Sequence, residues 1–161
     1  MNELALVVPF EGLAPVVDDL RERTCASKPS HGMPPHVTLL VPAPRDVEAI
    51  AEVLFAFAAF EVVFARLDRF PGALWLAPEP AQPFARMIEA LMGRFPDYPP
   101  YGGAFNEIVP HLTVAQSEFD EAVSTLEPWL PLSTRAERAV LLEQAQTVHW
   151  RDLATFELED A

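Results

Sequence analysis

The chain has 161 residues, half of them hydrophobic, enough to bury one substantial core or two small lobes sharing an interface without disulfide support. Its formal net charge of -13, from 24 acidic and 11 basic residues, argues against the broad phosphate-tracking surface that long RNA or DNA requires. With Lys28 the one lysine, any phosphate clamp would be mostly arginine. A lone cysteine, Cys25, excludes an internal disulfide framework and fits a reducing cytoplasm.

In chain order, Met1, Asn2 and Glu3 lack the positive start of a secretory signal, and the apolar run 4–10 is too short for one. Residues 4–8 read as a strand, and Leu13, Val16, Val17 and Leu20 then recur at helical spacing. Cys25 follows without an identifiable base partner and reads as packing at a helix end. A loop rich in turn formers, holding His31, leads through Pro35 to His36, Val37, Thr38 and Leu39, a strand by its apolar alternation. A second helical stripe runs Val47, Ile50, Leu54, Phe57. The apolar stretch 49–64 contains Glu52 and Glu61, falls short of the roughly 20 residues of a membrane span, and reads as a core helix followed by a strand. Residues 61–70 and 73–77 are strands joined by a turn at Pro71 and Gly72. Phe84, Met87, Ile88, Leu91 and Phe95 form a third stripe, on which Met87 and Met92 read as gap-filling core rather than soft metal ligands.

The connection 96–110 is long and Pro-rich, and its Tyr98, Tyr101 and Phe105 either stack on a flat substrate group or pack within the loop. It enters a second strand, His111, Leu112, Thr113, Val114, again directly after a proline, Pro110. Ser117 to Asp120 is a capping pattern for a fourth stripe, Phe119, Val123, Leu126, Leu130. Residues 135–143 are rich in helix formers. The larger pattern makes them a strand paired with 150–158, with His149 at the turn. Both halves then run helix, loop, Pro-His-x-Thr strand, helix, hairpin, the first ending near Trp75 and the second near Trp150. The expected fold is α+β and bilobal: one domain over 1–161, with lobes from two similar halves, roughly 1–78 and 79–161. Two antiparallel sheets related by a pseudo-twofold duplication would carry helices outside and a cleft between them.

The paired motifs carry the chemistry. In each strand His and Thr share one face while Val37, Leu39, Leu112 and Val114 point into the core. The pseudo-twofold brings His36 and His111, two of only four histidines, to the central cleft. Two imidazoles with ordinary pKa near 6.5 can divide acid and base roles, and the Thr38 and Thr113 hydroxyls can hold phosphate oxygens between them. A zinc site from both histidines and an acidic residue would leave the threonines without a purpose. No nucleophile elbow, phosphate-cradling Gly-rich loop, Cys-x-x-Cys or His-Glu-x-x-His sequence is present.

The paired His-x-Thr motifs, duplicated halves and small size resemble the two-histidine phosphoesterase superfamily, which includes 2'-5' RNA ligase-like proteins and cyclic phosphodiesterases. The resemblance implies catalysis by His36 and His111, phosphate binding by Thr38 and Thr113, and metal- and cofactor-free cleavage of a 2',3'-cyclic or 2'-5' phosphodiester. The expected partner is a small nucleotide or RNA end, met by a cytoplasmic monomer with no membrane association and no extended nucleic-acid surface. The alternative is a phosphate-ligand binding protein that keeps the cleft without turnover.

Overall fold

The computed structural model describes residues 3–99, 108–145 and 147–160. Among the described residues, eight strands and four α-helices follow one another as β1 (Leu4–Pro9), α1 (Ala14–Thr24), β2 (His36–Leu40), α2 (Val47–Leu54), β3 (Phe60–Phe70), β4 (Ala73–Glu79), α3 (Gln82–Arg94), β5 (Leu112–Ala115), α4 (Phe119–Leu126), β6 (Leu132–Ala136), β7 (Arg138–Gln144) and β8 (Trp150–Glu157). Local signals explain several boundaries. Proline occupies the first turn of α1 and of α3, where its missing N–H costs nothing. The Asp46 carboxylate caps α2 by accepting from the Ala49 N–H at 3.2 Å. Gly72, at φ +90°, makes the tight turn between β3 and β4.

All strand pairs within the two four-stranded sheets are antiparallel, in the orders β2-β1-β7-β8 and β5-β4-β3-β6. The two orders coincide when β2 is matched with β5, β1 with β4, β7 with β3 and β8 with β6. The repeated unit is therefore strand-helix-strand-helix, β1-α1-β2-α2 and β4-α3-β5-α4, with a motif strand at the edge of each sheet.

The division of lobes at 78/79 does not hold, because each sheet draws strands from both halves. β1 is an interior strand buried along its whole length, and β2 satisfies only one of its edges. The other edge is closed by β7, from the far end of the chain. The expected strand over 135–143 likewise breaks at Glu137, with β6 ending in one sheet and β7 beginning in the other. Ser117 does not cap α4. Its N-cap is Glu118, in the left-handed region at φ 54°, with no side-chain hydrogen bond. Met87 is core as expected, whereas Met92 is 37% exposed.

The main core lies between the sheets and the helices, and it crosses the lobes: α1 packs against β5 and α3 against β2. Aromatic side chains join the parts. Phe10, after β1, meets Phe64 of β3 edge-to-face at 5.2 Å and Phe84 of α3 at 6.2 Å, and Phe84 also meets Phe60 at 5.0 Å. On the opposite face of the first sheet, Ala5, Val7, Val140, Leu142 and Trp150 form a smaller cluster covered by Met33. Gly32, beside Met33, has φ +85°, and a Cβ there would collide with the Trp150 carbonyl, so the 29–34 loop lies directly on the β8 entrance.

Because Phe84 is fully buried where both lobes meet, Phe84→Ala is expected to cost about 3–5 kcal/mol. Urea denaturation should show one cooperative transition in both proteins, followed in parallel by the fluorescence of Trp75 and Trp150, which belong to different sheets. Two separated transitions would show that the lobes fold independently.

Candidate active site

The two motif strands are edge strands that lie against each other, and this brings their polar faces together. His36 opens β2 opposite Pro9, and Thr38 stands opposite Val7 of β1. His111 immediately precedes β5, and Thr113 stands opposite Trp75 of β4. The alternation is as read from sequence: Val37, Leu39, Leu112 and Val114 are buried in the main core, whereas His36, Thr38, His111 and Thr113 are half-buried on the other face.

Each histidine is held by the same device. His36 Nδ1 lies 2.7 Å from the Pro34 carbonyl oxygen, and His111 Nδ1 lies 2.7 Å from the Val109 carbonyl oxygen, in both cases two residues earlier. A carbonyl can only accept, so Nδ1 donates its proton. In the neutral ring the lone pair then sits on Nε2, turned away from the anchoring strand entry. The prolines at 35 and 110 contribute by holding the preceding residue extended, which places each carbonyl beside its ring.

Burial shifts both titrations the same way. The His36 pKa is lowered to about 4, chiefly by desolvation, with the Arg21 guanidinium and His111 adding to the effect and the Pro34 hydrogen bond opposing it. His111 is lowered by burial, against its bond to Val109. Phe70 stacks edge-on to His111 at 5.0 Å, and Trp75 lies 5.7 Å from the same ring. The Trp75 indole N–H is buried and finds no acceptor among the described residues.

Neither Phe70 nor Trp75 was marked as a site residue by sequence, since aromatics in a hairpin read as packing. Arg21 was missed too, although a charge on the apolar stripe of Val17 and Leu20 is a legible signal. The other candidates stay outside the pair. His31 lies in a short 3-10 turn and His149 is exposed in the β7–β8 connection. Cys25 is buried at the end of α1, where burial raises its thiol pKa, so a packing role stands. Tyr98 packs on the main core, and Tyr101 and Phe105 lie outside the described residues. Of the ten arginines, seven are ion-paired to carboxylates among the described residues. No cluster of three His, Cys, Asp or Glu suited to a metal occurs among the described residues, and no described helix is long and apolar enough to cross a membrane.

The fold and its two facing His-x-Thr strands define a bilobal architecture shared with several solved structures. Escherichia coli LigT complexed with ATP is 16% identical, with a TM-score of 0.64, covering 99% of this chain and 100% of that one. The same protein complexed with 3'-AMP is 13% identical (TM-score 0.60, 98% of each chain), and a Thermus thermophilus protein is 17% identical (TM-score 0.61, 99% of each). The model of the 2'-5' RNA ligase superfamily matches residues 9–147, and the chain belongs to that family. No curated protein matches it by sequence.

The depressed His36 pKa has a consequence for stability. Between about pH 4 and pH 6.5 the unfolded chain takes up a proton that the folded ring refuses, so stability contributed by neutral His36 is full above pH 6.5 and is lost as pH falls through that window. Replacing His36 by Gln removes the contribution. Thermal denaturation at about pH 7 and about pH 5 should therefore show a larger drop in Tm for the wild type than for His36→Gln, and equal drops would contradict the buried neutral ring.

Proposed function

We propose that the protein is a metal-independent two-histidine phosphodiesterase that opens a 2',3'-cyclic phosphate, or cleaves a 2'-5' phosphodiester, of a small nucleotide or RNA end. The observation that carries this reading is the matched anchoring of His36 and His111 through Nδ1, which presents two Nε2 atoms from facing strands. One imidazole accepts the proton of a water as its oxygen attacks phosphorus. The bond from phosphorus to the 2' or 3' oxygen breaks, and the other ring, entering as imidazolium, gives its proton to that oxygen, leaving a phosphomonoester. Thr38 and Thr113, whose hydroxyls form no hydrogen bond among the described residues, donate to the non-bridging oxygens and hold phosphorus between the rings. Nucleotide complexes of the E. coli relative, with 3'-AMP, ATP and NADP+, support a nucleotide as ligand. No step in this scheme calls on a metal, and a monomer suffices because both motifs come from one chain. Such a monomer would act in the cytoplasm.

A panel of 2',3'-cyclic nucleotides and short 2'-5'-linked oligonucleotides, assayed with chelator present, tests the proposal. Wild type should turn over at least one class, and His36→Ala and His111→Ala should each lose about 100-fold or more while remaining folded at the assay pH. Undiminished activity in both variants would remove the assignment. Thr38→Val and Thr113→Val should each cost about 10- to 100-fold in kcat/KM, the worth of a hydrogen bond to a charged oxygen.

Since both histidines are shifted down, the bell-shaped pH profile of kcat/KM, which reports the free enzyme, should be centred on the acid side of 6.5. A centre above 7 would count against these two residues as the titrating pair. The low proton affinity of both rings also favours a second reading, a nucleotide-binding protein that rarely holds one ring charged. Saturable binding with no product after long incubation would establish it, whereas multiple turnovers would eliminate it.

A further inference from the structure

Arg21 is a charged side chain in the apolar stripe of α1, only 2% exposed. Both terminal nitrogens of its guanidinium are engaged. Nη1 donates to Asp18 Oδ1 at 2.7 Å, and Nη2 donates to the carbonyls of Met33 at 2.8 Å, Pro34 at 3.2 Å and, at 3.4 Å, Ser27. Burying a guanidinium is costly, and an apolar side chain could close the same seam at no electrostatic penalty. What the cation adds is control of one oxygen. The Pro34 carbonyl that it grips is the same one that accepts from His36 Nδ1, so the two donors share that oxygen's two lone pairs.

The loop has anchors besides Arg21. The loop is pinned separately by Glu22, which accepts from the Ser30 N–H at 2.8 Å and the Ser30 hydroxyl at 2.6 Å. Lys28 Nζ donates to the Glu22 carbonyl at 2.6 Å, and Gly32 seats against the Trp150 carbonyl. These anchors hold residues 28–32, whereas Arg21 bonds the Met33 and Pro34 carbonyls, next to His36.

We propose that Arg21, oriented by Asp18, is a positioning residue for His36: it fixes the Pro34 carbonyl so that the proton stays on Nδ1 and the lone pair on Nε2 faces the cleft. The role deepens the two-histidine reading and rests on it. Its first test nevertheless needs no turnover, because the tautomer of a ring can be read in the resting protein from its 15N chemical shifts.

In wild type, His36 should show a single Nδ1–H tautomer at neutral pH. In Arg21→Met it should become a mixture of tautomers while His111, anchored to Val109, stays unchanged. With an active substrate in hand, kcat should fall about 10- to 100-fold, as for a misaligned catalytic group, with KM within about twofold. Arg21→Lys, which keeps the charge but cannot span Asp18 and three carbonyls, should recover part of both signals. If Arg21→Met does not fold, Arg21→Lys and Asp18→Asn take its place, each with a smaller tautomer shift confined to His36. An unchanged His36 tautomer in the folded variants overturns the proposal. A tautomer shift in a protein that turns over nothing would instead sink the phosphodiesterase reading and leave the positioning role standing.

Discussion

The geometry of the cleft depends on the crossed packing of one apolar core. α1 rests on the motif strand of the other repeat, and α3 rests on β2, so neither edge strand can move without opening a seam lined by Val37, Leu39, Leu112 and Val114. A packed interior resists such shifts because even a small gap forfeits dispersion contacts on both sides. The His and Thr side chains of the two motifs are thereby carried on, or directly at the entry of, packed strands, the arrangement that holds side chains most closely to one geometry.

The same burial gives the site its electrostatic character. Each imidazole is stripped of water on one side, tied by Nδ1 to a backbone oxygen, and made reluctant to carry charge. An anionic phosphate entering between the rings would reverse that reluctance, since a nearby negative charge favours the imidazolium. In the proposed reaction, proton uptake by one ring is thus coupled to occupancy. The Trp75 indole N–H, on the ring beside His111, is a buried donor with no acceptor among the described residues.

Much of this was legible in the sequence because it depends on local periodicity. The His-x-Thr alternation fixed which side chains face the cleft, and the four apolar stripes located the four helices. What escaped was long-range. Nothing in the pattern of residues 61–77 says whether that hairpin completes the first sheet or the second, and the two similar halves invited the simpler answer of one lobe each. The break at Glu137 is similarly invisible, because β6 and β7 differ in sheet and not in composition. Arg21 shows the limit at the site. Its place on the buried stripe could be read, but its partners Met33 and Pro34 are backbone oxygens, which carry no sequence signature.

The interleaving of strands also constrains how the chain can be assembled during synthesis. β1 and β2 leave the ribosome early, yet the open edge of β1 has no native partner until β7 follows, near the other end of the described chain. Meanwhile β3 and β4 can pair locally and offer β4 to β5, so the second sheet is largely assembled before the first can close. Through that interval the apolar strand Leu4–Pro9 presents unpaired backbone, the condition in which strands join the wrong partner.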